Sequence, residues 1–263
     1  MDVTLQENRR FKPTAEFIKS AVYRLEQLAR WRELARKDFE GYWAEAAKEL
    51  VWDQPWKRTL EWDPPHAQWF LEGMLNASAN CLDRHLAKQG EKTAILWEGE
   101  PGEVVNWTYR DLHAEVERFS AGLRKLGLKK GERVAIYLPL VPEAAVAMLA
   151  CARVGLTHTV VFGGFSAESL KDRIQDADAV ALITADFGYR KGAKVDLIAQ
   201  AEKALSACPT VRTTIVLQRE RAGKRNVQAP AATTSAGKKD WHEVMALVGA
   251  KECSELGRPE SVD

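Results

Sequence analysis

Between residues 93 and 217, short apolar runs alternate with amphipathic stretches, and no other feature of the chain restricts its fold as much. The runs are 93–97, 133–138, 157–162, 179–184 and 213–217, each rich in aliphatic or β-branched residues. Between them the apolar period changes to that of a helix. Leu112, Val116, Phe119, Leu123 and Leu126 share one face of a helix that Thr108 and Asp111 open as a capping box and that ends near Gly127. Pro142 suits the first turn of a helix over 142–153, and further helices are expected at 83–89, 166–177 and 195–206. Strands separated by helices are joined by crossovers, and crossovers produce a largely parallel sheet with flanking helices. The expected class is therefore α/β.

The two ends differ from this middle. Six of nine tryptophans (Trp31, Trp43, Trp52, Trp56, Trp62, Trp69) fall in the first 69 residues. Residues 14–50 read as helical, with Phe17, Val22, Leu25 and Leu28, then Phe39, Trp43, Ala46 and Leu50, at helix spacing. Pro55, Pro64 and Pro65 then forbid helix, and the aromatics there suit an extended stretch whose rings lie over another surface. Residues 1–80 are accordingly expected to form a helical and extended layer packed on the next domain, with a carbohydrate-binding aromatic platform as the rival reading. Residues 81–218 carry the alternating pattern. Residues 219–239 show no periodicity and read as a solvated, flexible loop. A helix near 240–248 is expected after it, then an abrupt end at 263 with no further strand.

Composition narrows the function. The chain has 38 Lys and Arg against 37 Asp and Glu, so it has no global field to draw in nucleic acid or an anionic membrane. The basic stretch in 219–239 has no aromatic to stack on a base. With 263 residues and 46% hydrophobic content the chain can bury a core without staples. Cys81, Cys151, Cys208 and Cys253 stand far apart with no Cys/His cluster, which argues against zinc and against a disulfide scaffold. The start is polar, and no apolar run approaches the roughly 20 residues of a membrane span. A soluble, cytoplasmic protein is expected.

Signatures of nucleophilic, metal or P-loop chemistry are absent, and the five histidines are scattered, with His113 expected on an exposed helix turn. Two spots remain. In the first, a strand runs through Phe162 into Gly163 and Gly164 and on to Ser166, a helix N-cap. Such a turn is either a tight connection or a place where a ligand meets the backbone. The second is Arg190, Lys191, Gly192, Ala193 and Lys194, three cations around a glycine. It is either a phosphate clamp or a solvated charged loop. Both spots leave the carboxyl edge of the sheet and can face one crevice. A nucleotide-like ligand is the reading they share.

The sequence also resembles a known family. Asp38-Phe39-Glu40-Gly41-Tyr42-Trp43, Trp62-Asp63-Pro64-Pro65, Asn80-Cys81-Leu82-Asp83-Arg84-His85-Leu86 and Trp97-Glu98-Gly99-Glu100-Pro101-Gly102-Glu103 carry the likeness. So do the blocks 134–139, 143–155 and 160–168, so that it runs from about residue 38 to 217. Together they resemble the acetyl-coenzyme A synthetase family of adenylate-forming ligases. The resemblance implies a two-step reaction in which acetate attacks ATP to give acetyl-adenylate and diphosphate, with Mg²⁺ neutralising phosphate charge, and CoA then displaces AMP. Propionyl-CoA synthetases and other short-chain acyl-CoA ligases are the near alternative, and a non-catalytic CoA-binding module is another. The family's CoA contacts fall on Arg190, Lys191, Gly192 and Ala193, with Phe162, Gly163 and Gly164 as the neighbouring surface. The family pattern has a second Lys or Arg where Ala193 stands, and Lys191 and Lys194 are the candidates to stand in. The family's Ser/Thr/Gly-rich phosphate loop would lie beyond residue 263. The resemblance therefore implies no catalytic residue and no metal ligand within residues 1–263. It makes the chain the N-terminal part of the ligase, with an incomplete adenylate-forming domain, and makes the remainder of the synthetase its partner.

Overall fold

The structure is a computed structural model that describes residues 8–225, 227–228 and 237–262. It divides into two units, residues 8–50 with 56–71, and residues 51–55 with 72–262.

In the first unit the helical stretch is made of α1 (Ala15–Ser20), α2 (Leu25–Lys37) and α3 (Phe39–Ala47). Thr14 caps α1 through Phe17 N–H, and Asp38 stops α2 and caps α3 by accepting from Gly41 N–H at 2.8 Å. The proline-rich stretch folds back on itself as an antiparallel hairpin, β1 (Arg58–Asp63) with β2 (His66–Leu71). Pro64 and Pro65 supply the turn, where no ladder N–H is needed. Trp69 meets Phe39 and Trp43 edge to face at 5.7 and 5.9 Å.

The second unit opens with α4 (Ala77–Cys81) and α5 (Leu86–Gln89), then β3 (Thr93–Glu98), β4 (Val104–Thr108) and α6 (Tyr109–Lys125). The first apolar run, β3, is not part of the parallel sheet; it pairs antiparallel with β4, which the sequence reading missed. Thr108 and Asp111 form both arms of the capping box on α6. The chain continues through β5 (Arg133–Tyr137), α7 (Pro142–Arg153), β6 (Thr157–Val160), α8 (Ala167–Asp176) and β7 (Ala181–Ala185). Next come the β8 (Phe187–Arg190) and β9 (Ala193–Asp196) hairpin, then α9 (Leu197–Leu205) and β10 (Thr213–Leu217).

The end departs from expectation. The expected loop itself ends in a strand, β11 (Lys238–Asp240), which pairs in parallel with β10; α10 (Trp241–Ala246) then stands where a helix was expected, and a further helix, α11 (Ala250–Leu256), follows it. The expected solvated loop is partly core. Arg219, Ala222 and Gly223 are buried, and residues 226 and 229–236 lie outside the described residues.

The main sheet is five-stranded and parallel, in the order β11-β10-β7-β5-β6. From β5 the chain steps outward to β6, then reverses and crosses to β7, on the other side of β5. With the right-handed crossovers that parallel sheets adopt, α7 and α8 fall on opposite faces. The packing agrees: α6 meets α7, α10 and α11, while α8 meets α9. The core is continuous across the sheet, and it includes Phe119 stacked on the buried Trp241 with ring centroids 3.7 Å apart.

Candidate functional site

The reversal of strand order creates a switch point between β5 and β7, where the chain leaves the carboxyl ends of adjacent strands toward opposite faces. Such points leave a crevice that binds ligands in open α/β sheets. The crevice holds a cavity of about 410 Å³. It is formed by the segments that follow β5 (Leu138, Pro139, Leu140), β6 (Phe162, Gly163, Gly164), β7 (Gly188 to Lys191) and β10 (Arg219), with the end of β3 (Trp97 to Glu100) at the side.

Each segment is fixed locally. The buried Tyr137 donates its hydroxyl proton to the Phe165 carbonyl at 2.8 Å, tying the turn after β6 to the end of β5. Ser166 caps α8, accepting from Ser169 N–H at 3.3 Å. A Cβ at Gly164 would lie 2.7 Å from Arg190 Nη1 and 2.6 Å from Phe162 Cε1, so a side chain there would push both aside. The bare backbone leaves room for the Arg190 guanidinium over this turn, where it also stands 5.9 Å from the centre of the Phe162 ring.

Arg190 and Lys191 are carried by a hairpin, not by a solvated loop. β8 and β9 pair from Phe187 with Asp196 to Arg190 with Ala193. Lys191 and Gly192 both have positive φ (53° and 78°), as a two-residue type I′ turn requires. The Gly192 N–H donates to the Glu100 carboxylate.

A second arginine, which sequence reasoning assigned to the solvated stretch, forms part of the wall. Arg219 is only 4% exposed and lies between two rings, its guanidinium carbon 5.2 Å from the Trp97 centroid and 5.1 Å from that of Tyr189. Its charge is answered by Glu103 at 3.1 Å. Trp97 is itself held by an indole N–H bond to the Leu140 carbonyl at 2.8 Å.

The structure therefore brings Phe162, Gly163, Gly164, Arg190 and Lys191 together around one cavity, with Gly192 and Ala193 at the turn beyond its wall. Lys194 does not join them. Its ammonium lies 4.1 Å from the Phe187 centroid and 3.6 Å from Glu220, so Lys191 is the cation available to accompany Arg190. No histidine, cysteine, serine or threonine lines the cavity, and among the described residues no group of three or more His, Cys, Asp or Glu is placed to hold a metal. Apolar walls with two cations at the rim suit the binding of a phosphorylated organic ligand.

Fold and crevice together define an open-sheet α/β protein with a crevice at its switch point. Comparison with known proteins specifies it further. The family model described as AMP-binding enzyme matches residues 82–253, and that described as acetyl-coenzyme A synthetase N-terminus matches residues 28–81. The chain belongs to the AMP-binding enzyme family and begins with the acetyl-coenzyme A synthetase type of N-terminus. It is 50% identical over 224 residues to acetyl-coenzyme A synthetase of Gemmatimonas aurantiaca, covering 85% of this chain and 34% of that one. It is 44% identical over 253 residues to the Streptomyces avermitilis protein of the same description, covering 95% and 37%. Among solved structures, acetoacetyl-CoA synthetase from Streptomyces lividans superposes with a TM-score of 0.75 at 28% identity, over 94% of this chain and 36% of that one. The chain spans about a third of the length of these relatives. Among the described residues no helix is long and apolar enough to cross a membrane.

Proposed function

We propose that this chain is the CoA-docking and scaffolding part of an acetate–CoA ligase. In that reaction an acetate oxygen attacks the α-phosphorus of ATP, releasing diphosphate and leaving acetyl-adenylate. The CoA thiol then attacks the acetyl carbonyl, the bond to AMP breaks, and acetyl-CoA forms. This chain's share is to bind CoA in the crevice at the switch point. Arg190 supplies the principal phosphate contact and Lys191 a second charge. Phe162, Gly163 and Gly164 form the adjoining surface, and Gly192 and Ala193 form the turn. No catalytic residue is assigned to it, and Mg²⁺ and ATP are handled outside these residues.

One observation carries the reading: Arg190 has no carboxylate partner among the described residues and is held at the crevice rim over a glycine turn. A free guanidinium at the mouth of an apolar cavity awaits an anion. Titration of the chain with CoA, read by calorimetry, tests it. A charge-assisted hydrogen bond contributes about 1.5–3 kcal/mol, so Arg190→Ala should weaken CoA binding by roughly 10- to 150-fold. CoA affinity that does not change in this variant removes the assignment.

A further inference from the structure

The loop between β3 and β4 is braced on both flanks. On one side Trp97 is bonded to the Leu140 carbonyl at 2.8 Å; on the other Glu103 is paired with the buried Arg219 at 3.1 Å. The loop also closes on itself, Gly99 N–H to the Glu103 carbonyl at 2.7 Å and Gly102 N–H to the Gly99 carbonyl at 2.8 Å. Between these fixed points stands Glu100, which lines the cavity. Its carboxylate accepts from the N–H of Gly192, 92 residues away and at the tip of the hairpin that carries Arg190 and Lys191.

A backbone N–H beside a guanidinium and an ammonium is a corner that attracts an anion. In this structure the anion there is the protein's own. The strap from Trp97 to Glu103 fixes the backbone from which the Glu100 side chain reaches that amide.

We propose that Glu100 is an internal competitor for the phosphate of the crevice's ligand. It occupies the Gly192 N–H when the site is empty, and a phosphate monoester must displace it. This rests on the reading of the crevice as a CoA site. The ligand's phosphate is exchanged for the Glu100 carboxylate, so only part of the phosphate's interaction appears as net affinity. A ligand identical but for that phosphate leaves Glu100 in place. The exchange also favours release, because the carboxylate returns to the amide as the phosphate leaves. In an enzyme whose product retains the same phosphate, such a competitor keeps product from being held.

The test compares CoA with 3′-dephospho-CoA, which lacks only that phosphate, by calorimetric titration at low ionic strength. The proteins are the wild-type chain, Glu100→Ala and Glu100→Gln. Loss of one charge-assisted contact and of carboxylate–phosphate repulsion should tighten CoA binding to Glu100→Ala by about tenfold. Dephospho-CoA should stay within about twofold, since no displacement is involved. Glu100→Gln, which can still accept from Gly192 but is neutral, should fall between wild type and Glu100→Ala for CoA. Equal factors for the two ligands, or weaker CoA binding in Glu100→Ala, overturn the proposal and leave the crevice assignment standing. If wild type and variants bind neither ligand, the crevice assignment fails, and this proposal with it. A second readout covers any variant that folds poorly. In the wild-type chain, the backbone amide resonance of Gly192 should shift on adding CoA and not on adding dephospho-CoA; a shift with both, or with neither, counts against displacement.

Discussion

The carboxylate of Asp83 is held by the guanidinium of Arg153 through two parallel hydrogen bonds, Nη1 to Oδ2 at 2.7 Å and Nη2 to Oδ1 at 2.8 Å, across 70 residues of chain. Arg153 is 2% exposed and also donates from Nε to the Gly257 carbonyl at 2.5 Å. His113 adds a third contact to Asp83 at 3.2 Å, so this histidine is a half-buried member of a network and not the exposed turn residue expected of it. Beside the pair, the Asn76 amide donates to the carbonyls of Ala152, Arg153 and Glu260. One polar node thus joins the segment before β3, the end of α7 and the last described residues.

Breaking that node strands a buried cation. Asp83→Ala should lower unfolding stability by about 3 kcal/mol, the low end for a broken buried pair because the Asp83 side chain is partly open to water. Burial alone would raise the Asp83 carboxyl, but the bonds from Arg153 and His113 outweigh it and hold the group well below the usual range. A depressed folded pKa contributes stability above the unfolded value near 3.8 that is lost as pH falls toward the folded one. The Asp83→Ala deficit, measured by urea unfolding, should therefore be present above about pH 5 and shrink as pH falls below 3.8. A deficit below about 1 kcal/mol would mean the pair is no stronger than a surface one.

Glu143 gives the opposite pH dependence. It sits in the first turn of α7 at 3% exposure, accepting from Gly223 N–H at 2.6 Å through Oε1, while Oε2 has no partner among the described residues. Burial pushes its pKa up to about 7, against the downward pull of the Gly223 bond. The folded state then holds a proton that the unfolded chain releases near 4.5, so stability falls as pH rises from 4.5 to about 7 and is level beyond. The shift corresponds to roughly 3 kcal/mol. Glu143→Gln keeps an acceptor for Gly223 and removes the ionisation. It should match wild type at pH 5 and exceed it at pH 8 in thermal midpoint. The same gap at both pH values would show that Glu143 does not ionise in this window.

The elements that could be read from sequence were those whose local pattern and tertiary role coincide. Thr108 with Asp111, Pro142 and Ser166 marked helix starts because capping is a contact between near neighbours in sequence. The strands of the sheet's centre announced themselves by being apolar on both faces. β11 could not be found this way: Lys238-Lys239-Asp240 has no strand pattern and is a strand only because β10 offers it a ladder. The β8–β9 hairpin was hidden by its charges, although Lys191-Gly192 at its tip was a usable turn signal. The site shows the same division. Phe162, Gly164 and Arg190 were visible as residues beside strand ends. Arg219 was not, because its burial depends on Trp97 and Tyr189, distant in sequence from one another and from it.

Ala193 offers a gain-of-function test of the crevice. It pairs directly across the hairpin from Arg190, so the two side chains leave the same face with Cβ atoms about 4.5–5.5 Å apart. Ala193→Arg would therefore set a second guanidinium beside the first at the crevice rim. Without ligand, like charges directly opposite cost the hairpin about 0.2–1 kcal/mol. With a phosphate monoester bound, both forks share one dianion, and the repulsion becomes an added charge-assisted contact. CoA affinity should rise by about tenfold and 3′-dephospho-CoA affinity should not. The gain should shrink with added salt, because the turn is exposed and its field is screened beyond about 10 Å at 0.1 M. Lys194 will not have masked this vacancy, since its ammonium is committed to Phe187 and Glu220. If Ala193→Arg binds CoA no better than wild type while still unfolding cooperatively, the phosphate does not sit at this turn, and Arg190 faces some other anion.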